Sequence, residues 1–395
     1  PLWEMHVVEG LCDGAVAVVA KIHHAIADGV AGAELLATFL DLEPATGADR
    51  VTHLDGWRRE PHRGAVSTGA RAPSAPRPAL DGVHHRGGAA WNEIEPWLAL
   101  VGSVPGQFDA LVRSLRRTAR RLGSQAAAWR RSPATAPSLP LSAPVTSVNR
   151  AISPHRRAAF ADLAMADVQR VRDVLGGTVN DVVLAATTGS LRSFFDRRGE
   201  PVAGSLVALV PVSVRSGSER SALGNRLSAL LVALPTGRAD AVDRLAAVRA
   251  SVATARELDR GEGSDLLQGW AEATPPAVAA RASRISTERR LFDRVPPICN
   301  LVVSNVPGPP VPLYLAGTRL RAIYPLGPIS EGTAVNITVI SYEGRIHVGV
   351  NGCWDLVPDV DVIARGIEDS LAELVRAADR RDRPVPWWHS EAVPA

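Results

Sequence analysis

A chain of 395 residues with 46% hydrophobic content is long enough for two cores of ordinary size. Its net charge of +3 gives no global field for nucleic acid. Cys12, Cys299 and Cys353 are odd in number, far apart and without a paired spacing, so neither a disulfide framework nor a zinc site is indicated. A reducing, cytoplasmic setting is expected. No apolar run approaches the roughly 20 residues needed to span a bilayer, and the start lacks a signal-peptide pattern. The chain opens at Pro1, inside a segment that already reads as folded and without an initiating Met, so residues upstream of it are expected.

Residues 4–9 and 15–23 read as two strands joined around Gly10 to Gly14, and apolar residues at helical spacing follow over 30–42. The junction between strand and helix is His23-His24-Ala-Ile-Ala-Asp28-Gly29. A strand end is a rigid platform that opens into a loop, so a side chain there is held firmly and still faces a cavity. Gly29 allows the turn that a residue with a Cβ resists. A histidine so placed is a candidate general base, because its ordinary pKa lies near about 6.5. The plainer alternative makes one histidine a satisfied core residue and Asp28 a helix cap before Val30.

From residue 43 to about 90 the pattern dissolves. Residues 61–78 are rich in Pro, Ala, Ser, Gly and Arg, and the stretch of about 61–90 is expected to be a mobile surface loop, with His84-His85 an exposed pair in it. Residues 107–131 read as a helix in which Phe108, Leu111, Val112, Leu115, Ala119 and Leu122 form a stripe beside Arg113, Arg116, Arg117, Arg120 and Arg121. Such a helix either packs with a solvated basic face or lies on an anionic membrane or lipid-droplet surface. The Pro-rich stretch 133–144 marks the boundary between halves, giving a domain over 1–132, a linker over 133–148 and a second domain over 149–395.

In the second half, strands are expected at 157–162, 205–214, 225–234, 299–305, 319–324, 334–342 and 345–351. Helices are expected at 165–175, 179–195, 240–258 and 275–291, with a closing helix after Pro358 that carries Val360, Ile363, Ile367, Leu371 and Leu374. Helices and strands mix throughout, and the adjacent late strands suggest antiparallel pairing. The expected class is therefore α/β, an α+β sandwich in two domains. Thr178-Val-Asn180-Asp181 has the form of a helix-opening capping box, which makes Asp181 a cap and Thr178 its reciprocal partner; a catalytic role for Asp181 stays open beside it.

Several separated motifs then agree. Pro1-Leu2-Trp3, the histidine motif, Gly176-Gly-Thr-Val-Asn180-Asp181, Leu223-Gly-Asn225, Ser304-Asn305-Val-Pro-Gly-Pro309 and Asn336-Ile-Thr-Val-Ile-Ser-Tyr342 follow one another in order. In this combination the chain resembles the bacterial wax ester synthase/acyl-CoA:diacylglycerol acyltransferase family, within the superfamily of chloramphenicol acetyltransferase and the peptide-synthetase condensation domains. The resemblance implies two chloramphenicol acetyltransferase-like domains with an active-site tunnel between them, and a segment preceding the Pro-Leu-Trp motif.

It also implies transfer of an acyl group from acyl-CoA, as co-substrate, to diacylglycerol or a long-chain alcohol, with no metal or other cofactor. His24 would be the base and His23 would shape the site. Asp28, next to Gly29, either accepts a hydrogen bond near the histidine or pairs with an arginine to hold the loop. Asn180 would stabilise the developing oxyanion from the first turn of its helix. Asn305 either lines the site as a substrate-binding residue or belongs to a rigid turn. No nucleophile elbow stands out, so direct transfer is expected. The alternatives are a condensing acyltransferase that uses carrier-protein thioesters and a catalytically degenerate paralogue that binds lipid or acyl-CoA. The expected setting is cytoplasmic, with peripheral attachment to a membrane or droplet as the further option.

Overall fold

In the computed structural model, residues 2–23, 39–44, 143–213, 227–258 and 297–382 are described. The chain falls into two compact units, residues 1–44 with 123–395 and residues 45–122, and every described residue belongs to the first. Expectations for His24, Asp28, Gly29, the loop at 61–90, the helices at 107–131 and 275–291, the linker residues 133–142 and the Leu223-Gly-Asn225 motif lie outside the described residues.

Strands β1 (Trp3–Val8) and β2 (Ala17–Ile22) form an antiparallel hairpin, within a residue or two of expectation. The pleat puts Trp3, Met5 and Val7 on one face with Ile22, Ala20 and Val18, and Trp3 and Val7 stay 67% and 63% exposed. The amide of His23 donates to the Leu2 carbonyl at 2.8 Å, so the pairing runs on into the histidine motif.

The remaining elements build one layer of sheet and one of helix. They run β3 (Arg156–Ala164), α1 (Met165–Leu175), α2 (Val179–Arg197), β4 (Leu206–Ser213), β5 (Leu227–Leu234), α3 (Ala241–Leu258), β6 (Leu301–Val306), β7 (Tyr314–Leu315), β8 (Thr318–Arg319), β9 (Val335–Tyr342), β10 (Arg345–Cys353) and α4 (Val360–Asp382). Six strands join in the order β3-β10-β9-β6-β4-β5, antiparallel except for the parallel pairs β4 with β6 and β6 with β9. This mixed sheet with its helices is the α/β class expected from the sequence.

Burial follows the pleat at the edge and abandons it in the middle. On β3 the alternate residues Ala159, Ala161 and Leu163 are buried against the helices, while Ala158 and Phe160 are exposed. On β9 and β10 nearly every residue is buried, the signature of a strand covered on both faces. Helices α1 to α4 cover one face. The segment between β6 and β9 covers the other, and it corrects an expectation.

Residues 319–324 were expected to be a strand, yet only Thr318–Arg319 pairs, with Tyr314–Leu315. Pro325 and Pro328 have no N–H to give a ladder, and residues 320–329 instead run across the sheet with their carbonyls taken by side chains. Asn351 Nδ2 donates to the Gly327 carbonyl at 2.8 Å, and Asn336 Nδ2 donates to that of Pro328 at 3.0 Å. The approach is so close that a Cβ built on Gly349 would lie 1.8 Å from the Pro325 carbonyl oxygen. Only glycine fits beneath this strap.

A second set of amides, which no motif announced, fixes the entry to the unit. Asn149 Nδ2 lies 2.8 Å from the Gly332 carbonyl oxygen and 3.1 Å from that of Asn300, while Asn300 Oδ1 accepts from the Val207 amide at 2.8 Å. Both asparagines are buried, at 2% and 0% exposure, so their polar groups must be satisfied internally.

Gly349→Ala is expected to lower stability by about 1–3 kcal/mol, the usual cost of forcing atoms into a filled site. Urea unfolding reads it as a lower midpoint with unchanged slope.

Candidate functional site

The site grows from the start of α2. Thr178 caps the helix in extended geometry, its Oγ1 accepting from the Asp181 amide at 3.2 Å, while Asp181 Oδ2 accepts from the Thr178 amide and hydroxyl, each at 2.8 Å. This is the expected capping box, in which each side chain satisfies a backbone donor that the helix leaves over. Asp181 is 6% exposed, and its Oδ1 is buried without a hydrogen-bond partner. The helix behind it is anchored by the core on nearly all sides, with every residue from Asp181 to Leu191 buried. Its first turn is therefore a fixed point.

Just before it, Gly176 and Gly177 turn the chain with positive φ from α1 into α2. Arg249 of α3 reaches across to donate from Nη1 to the Leu175 carbonyl at 3.3 Å, occupying one of the acceptors that the end of α1 leaves open.

Asn180 occupies the second position of α2, half-buried. Asn305 stands at the end of β6, on the same face as the buried Leu301 and Val303 but exposed itself. The two side chains meet: Asn305 Nδ2 lies 3.4 Å from Asn180 Oδ1. That is a long, weak bond. It leaves the Asn180 NH2 group and the Asn305 carbonyl oxygen without a bond among the described residues. Beside the pair lies a recess of about 230 Å³ lined by Met165, Val179, Asn305, Pro307, Ser341 and Ile346.

Its floor is held by the Pro-Gly turn after β6. The Gly308 amide donates to Ser341 Oγ at 3.1 Å, and a Cβ on Gly308 would fall 1.9 Å from the Ser341 carbonyl oxygen. The glycine of the Ser-Asn-Val-Pro-Gly-Pro motif is thus required by the close approach of β9.

Asn180 and Asn305, 125 positions apart in the chain, are therefore brought together. Asp181 follows Asn180 in the helix, with its Oδ2 committed to the helix start. His23 stands exposed at the end of β2, while His24, Asp28 and Gly29 lie outside the described residues. The sequence reading missed Met165, Val179, Ser341 and Ile346 as lining residues. Only the nearness in sequence of Val179 to Asn180, one residue away, and of Pro307 to Asn305, two residues away, could have hinted at the recess.

A larger open groove, about 650 Å³, lies between residues 144–150 and 200–205, but it contains neither motif. Among the described residues no group of three or more His, Cys, Asp or Glu is placed to hold a metal ion, and no helix is long and apolar enough to cross a membrane.

Comparison with known proteins covers both halves of the chain. Residues 1–183 match the wax ester synthase/diacylglycerol acyltransferase catalytic domain, and residues 223–375 match the WS/DGAT C-terminal domain. A Mycobacterium tuberculosis protein provisionally named a diacylglycerol O-acyltransferase is 34% identical over 393 residues, 99% of this chain and 70% of that protein. Another protein of that species named for the same activity is 34% identical over 382 residues, 96% of this chain and 73% of its own length.

Among solved structures, the wax ester synthase/diacylglycerol acyltransferase of Marinobacter aquaeolei superposes with a TM-score of 0.61 at 23% identity, over 96% of this chain and 72% of that one, and shares the fold. With both family domains matched along the chain and relatives alike over nearly its whole length, this protein belongs to the wax ester synthase/diacylglycerol acyltransferase family of acyltransferases.

Proposed function

We propose that this chain transfers a fatty acyl group from acyl-CoA to the hydroxyl of diacylglycerol or of a long-chain alcohol, giving triacylglycerol or wax ester. The observation that carries the reading is the meeting of the Asn180 and Asn305 amides at the capped start of a buried helix, beside an apolar recess. A thioester has the matching form, a polar carbonyl at the end of an apolar chain.

In this reading the His24 imidazole removes the hydroxyl proton as the alcohol oxygen attacks the thioester carbonyl. General-base assistance of this kind contributes about 10²–10⁴ in rate. The Asn180 NH2 group donates to the oxyanion that forms, supported by the positive end of α2. The carbon–sulfur bond then breaks, the CoA thiolate leaves, and the proton on the imidazolium passes to sulfur. Atoms balance without an acyl-enzyme, a metal or another cofactor.

In the same reading His23 shapes the site, and Asp28 has a structural role and takes no part in proton transfer. Asp181 acts by holding Asn180 in place, its Oδ2 accepting from both the amide and the hydroxyl of Thr178. Asn305 steadies the Asn180 amide from the facing strand. The Arg-rich stretch 107–131 is the proposed contact with a membrane or droplet surface from which lipid alcohols are drawn.

Purified protein should release CoA from palmitoyl-CoA when diolein or hexadecanol is added, and His24→Ala should lower that rate at least about 100-fold. Undiminished turnover in this variant would remove the assigned base. Asn180→Ala should lower kcat by about 10²–10³ with KM for acyl-CoA little changed, as expected for an interaction made only in the transition state. The thermal midpoint should stay near that of the parent. Thr178→Ala should do the reverse, losing about 1 kcal/mol of stability with the cap and far less of kcat. Thermal unfolding and steady-state kinetics on the same preparations separate the two effects.

A further inference from the structure

On the sheet face away from the helices, β3 and β10 place Asp162 directly opposite His347. His347 Nδ1 lies 2.5 Å from Asp162 Oδ1, and the other carboxylate oxygen accepts the Tyr324 hydroxyl at 2.7 Å. A carboxylate only accepts, so the proton in this bond sits on Nδ1. The side chain of His347 is 2% exposed, and Nε2 has no hydrogen-bond partner. A purely apolar side chain would fill this place without an unsatisfied nitrogen, so the bond to Asp162 is what the imidazole contributes.

Tyr324 closes the group. Its ring meets His347 edge-on at 5.2 Å and Phe160 at 4.8 Å. Burial and the adjacent Asp162 carboxylate push its hydroxyl up to about 12, so it remains a donor throughout the working pH range. The Asp162 amide donates in turn to Glu368 Oε1 on α4 at 2.9 Å, which ties the group to the helix layer.

Tyr324 belongs to the strap of residues 320–329, and the other end of that connection leaves the sheet. The Leu320 amide donates to the Leu313 carbonyl at 2.8 Å, and Tyr314 exchanges two backbone hydrogen bonds with Asp41, at 2.7 and 2.8 Å. Asp41 follows the histidine motif in the chain. One continuous connection therefore runs from a three-residue cluster around the buried His347 to residues 39–44, which follow the motif in the chain.

We propose that His347, Asp162 and Tyr324 form a clasp that fixes the strap and, through the Tyr314–Asp41 pairing, residues 39–44, which follow the histidine motif in the chain. None of the three touches substrate; they are positioning residues. The catalytic consequence rests on the acyl-transfer reading above, whereas the mechanical coupling does not.

Tyr324→Phe removes one hydroxyl and keeps the ring. It should lower kcat between about 10- and 100-fold, the scale of a small displacement transmitted from outside the site, with KM for acyl-CoA within about twofold. Amide hydrogen exchange should quicken by about tenfold at Tyr314 and Asp41 as well as within 320–329. His347→Leu, which leaves Asp162 without that donor, should behave likewise, and His347→Gln, which restores an N–H toward Asp162, should recover most of the loss. If His347→Leu does not fold, Tyr324→Phe decides the matter alone.

Faster exchange confined to 320–329 with kcat unchanged would overturn the clasp, as would a loss of thermal stability with no change in either readout. Should the parent protein turn over no acyl-CoA while exchange at Asp41 still responds to Tyr324→Phe, the clasp stands and the proposed reaction fails.

Discussion

Thr178 and Asp181 hold each other's backbone amides at the first turn of α2, and that reciprocal pair decides where the following helix begins. Because the helix is buried from Asp181 through Leu191, its start cannot drift without repacking the core. Asn180 inherits this rigidity. A donor aimed at developing charge is worth most when it need not reorganise as the charge appears. The buried, unpartnered Asp181 Oδ1 is the cost of placing a carboxylate there, partly offset by the positive end of the helix.

Much of this region was legible in the sequence. The capping box could be read from Thr178 and Asp181, because the donors left over at a helix start demand such partners whatever the tertiary setting. The late strands were legible through their apolar runs, since residues covered on both faces need no alternation. The strap at 320–329 was not. Its apolar residues imitate a strand, and its true course depends on carbonyls captured by Asn336 and Asn351 and on the missing Cβ of Gly349, which are contacts between distant parts of the chain. Asn149 and Asn300 were silent for the same reason. An isolated asparagine gives no periodicity to read, and its value lies in the carbonyls that the fold delivers to it.

The meeting of Asn180 and Asn305 lies between these cases. Each residue stood out within its own motif, but nothing in the spacing of 180 and 305 along the chain says that a helix start and a strand end share a corner. The family resemblance put both in one site; the sheet supplies the reason. With β6 parallel to β9 and backed by the helix layer, the last helix-facing position of β6 emerges where α2 begins.

The pairing of β3 with β10 has a consequence for how the molecule is made. Residues 156–164 at one sheet edge find their hydrogen-bonding partner only at 345–353, so the order of strands in space is far from the order of synthesis. Contacts this distant in sequence close slowly, because the entropy of the intervening loop must be overcome before they contribute. On the ribosome β3 emerges long before β10, with its backbone donors and acceptors open to chance encounters. The arginines at its start, Arg156 and Arg157, put charge on that waiting edge, and charge is one of the means by which unpaired strands avoid one another.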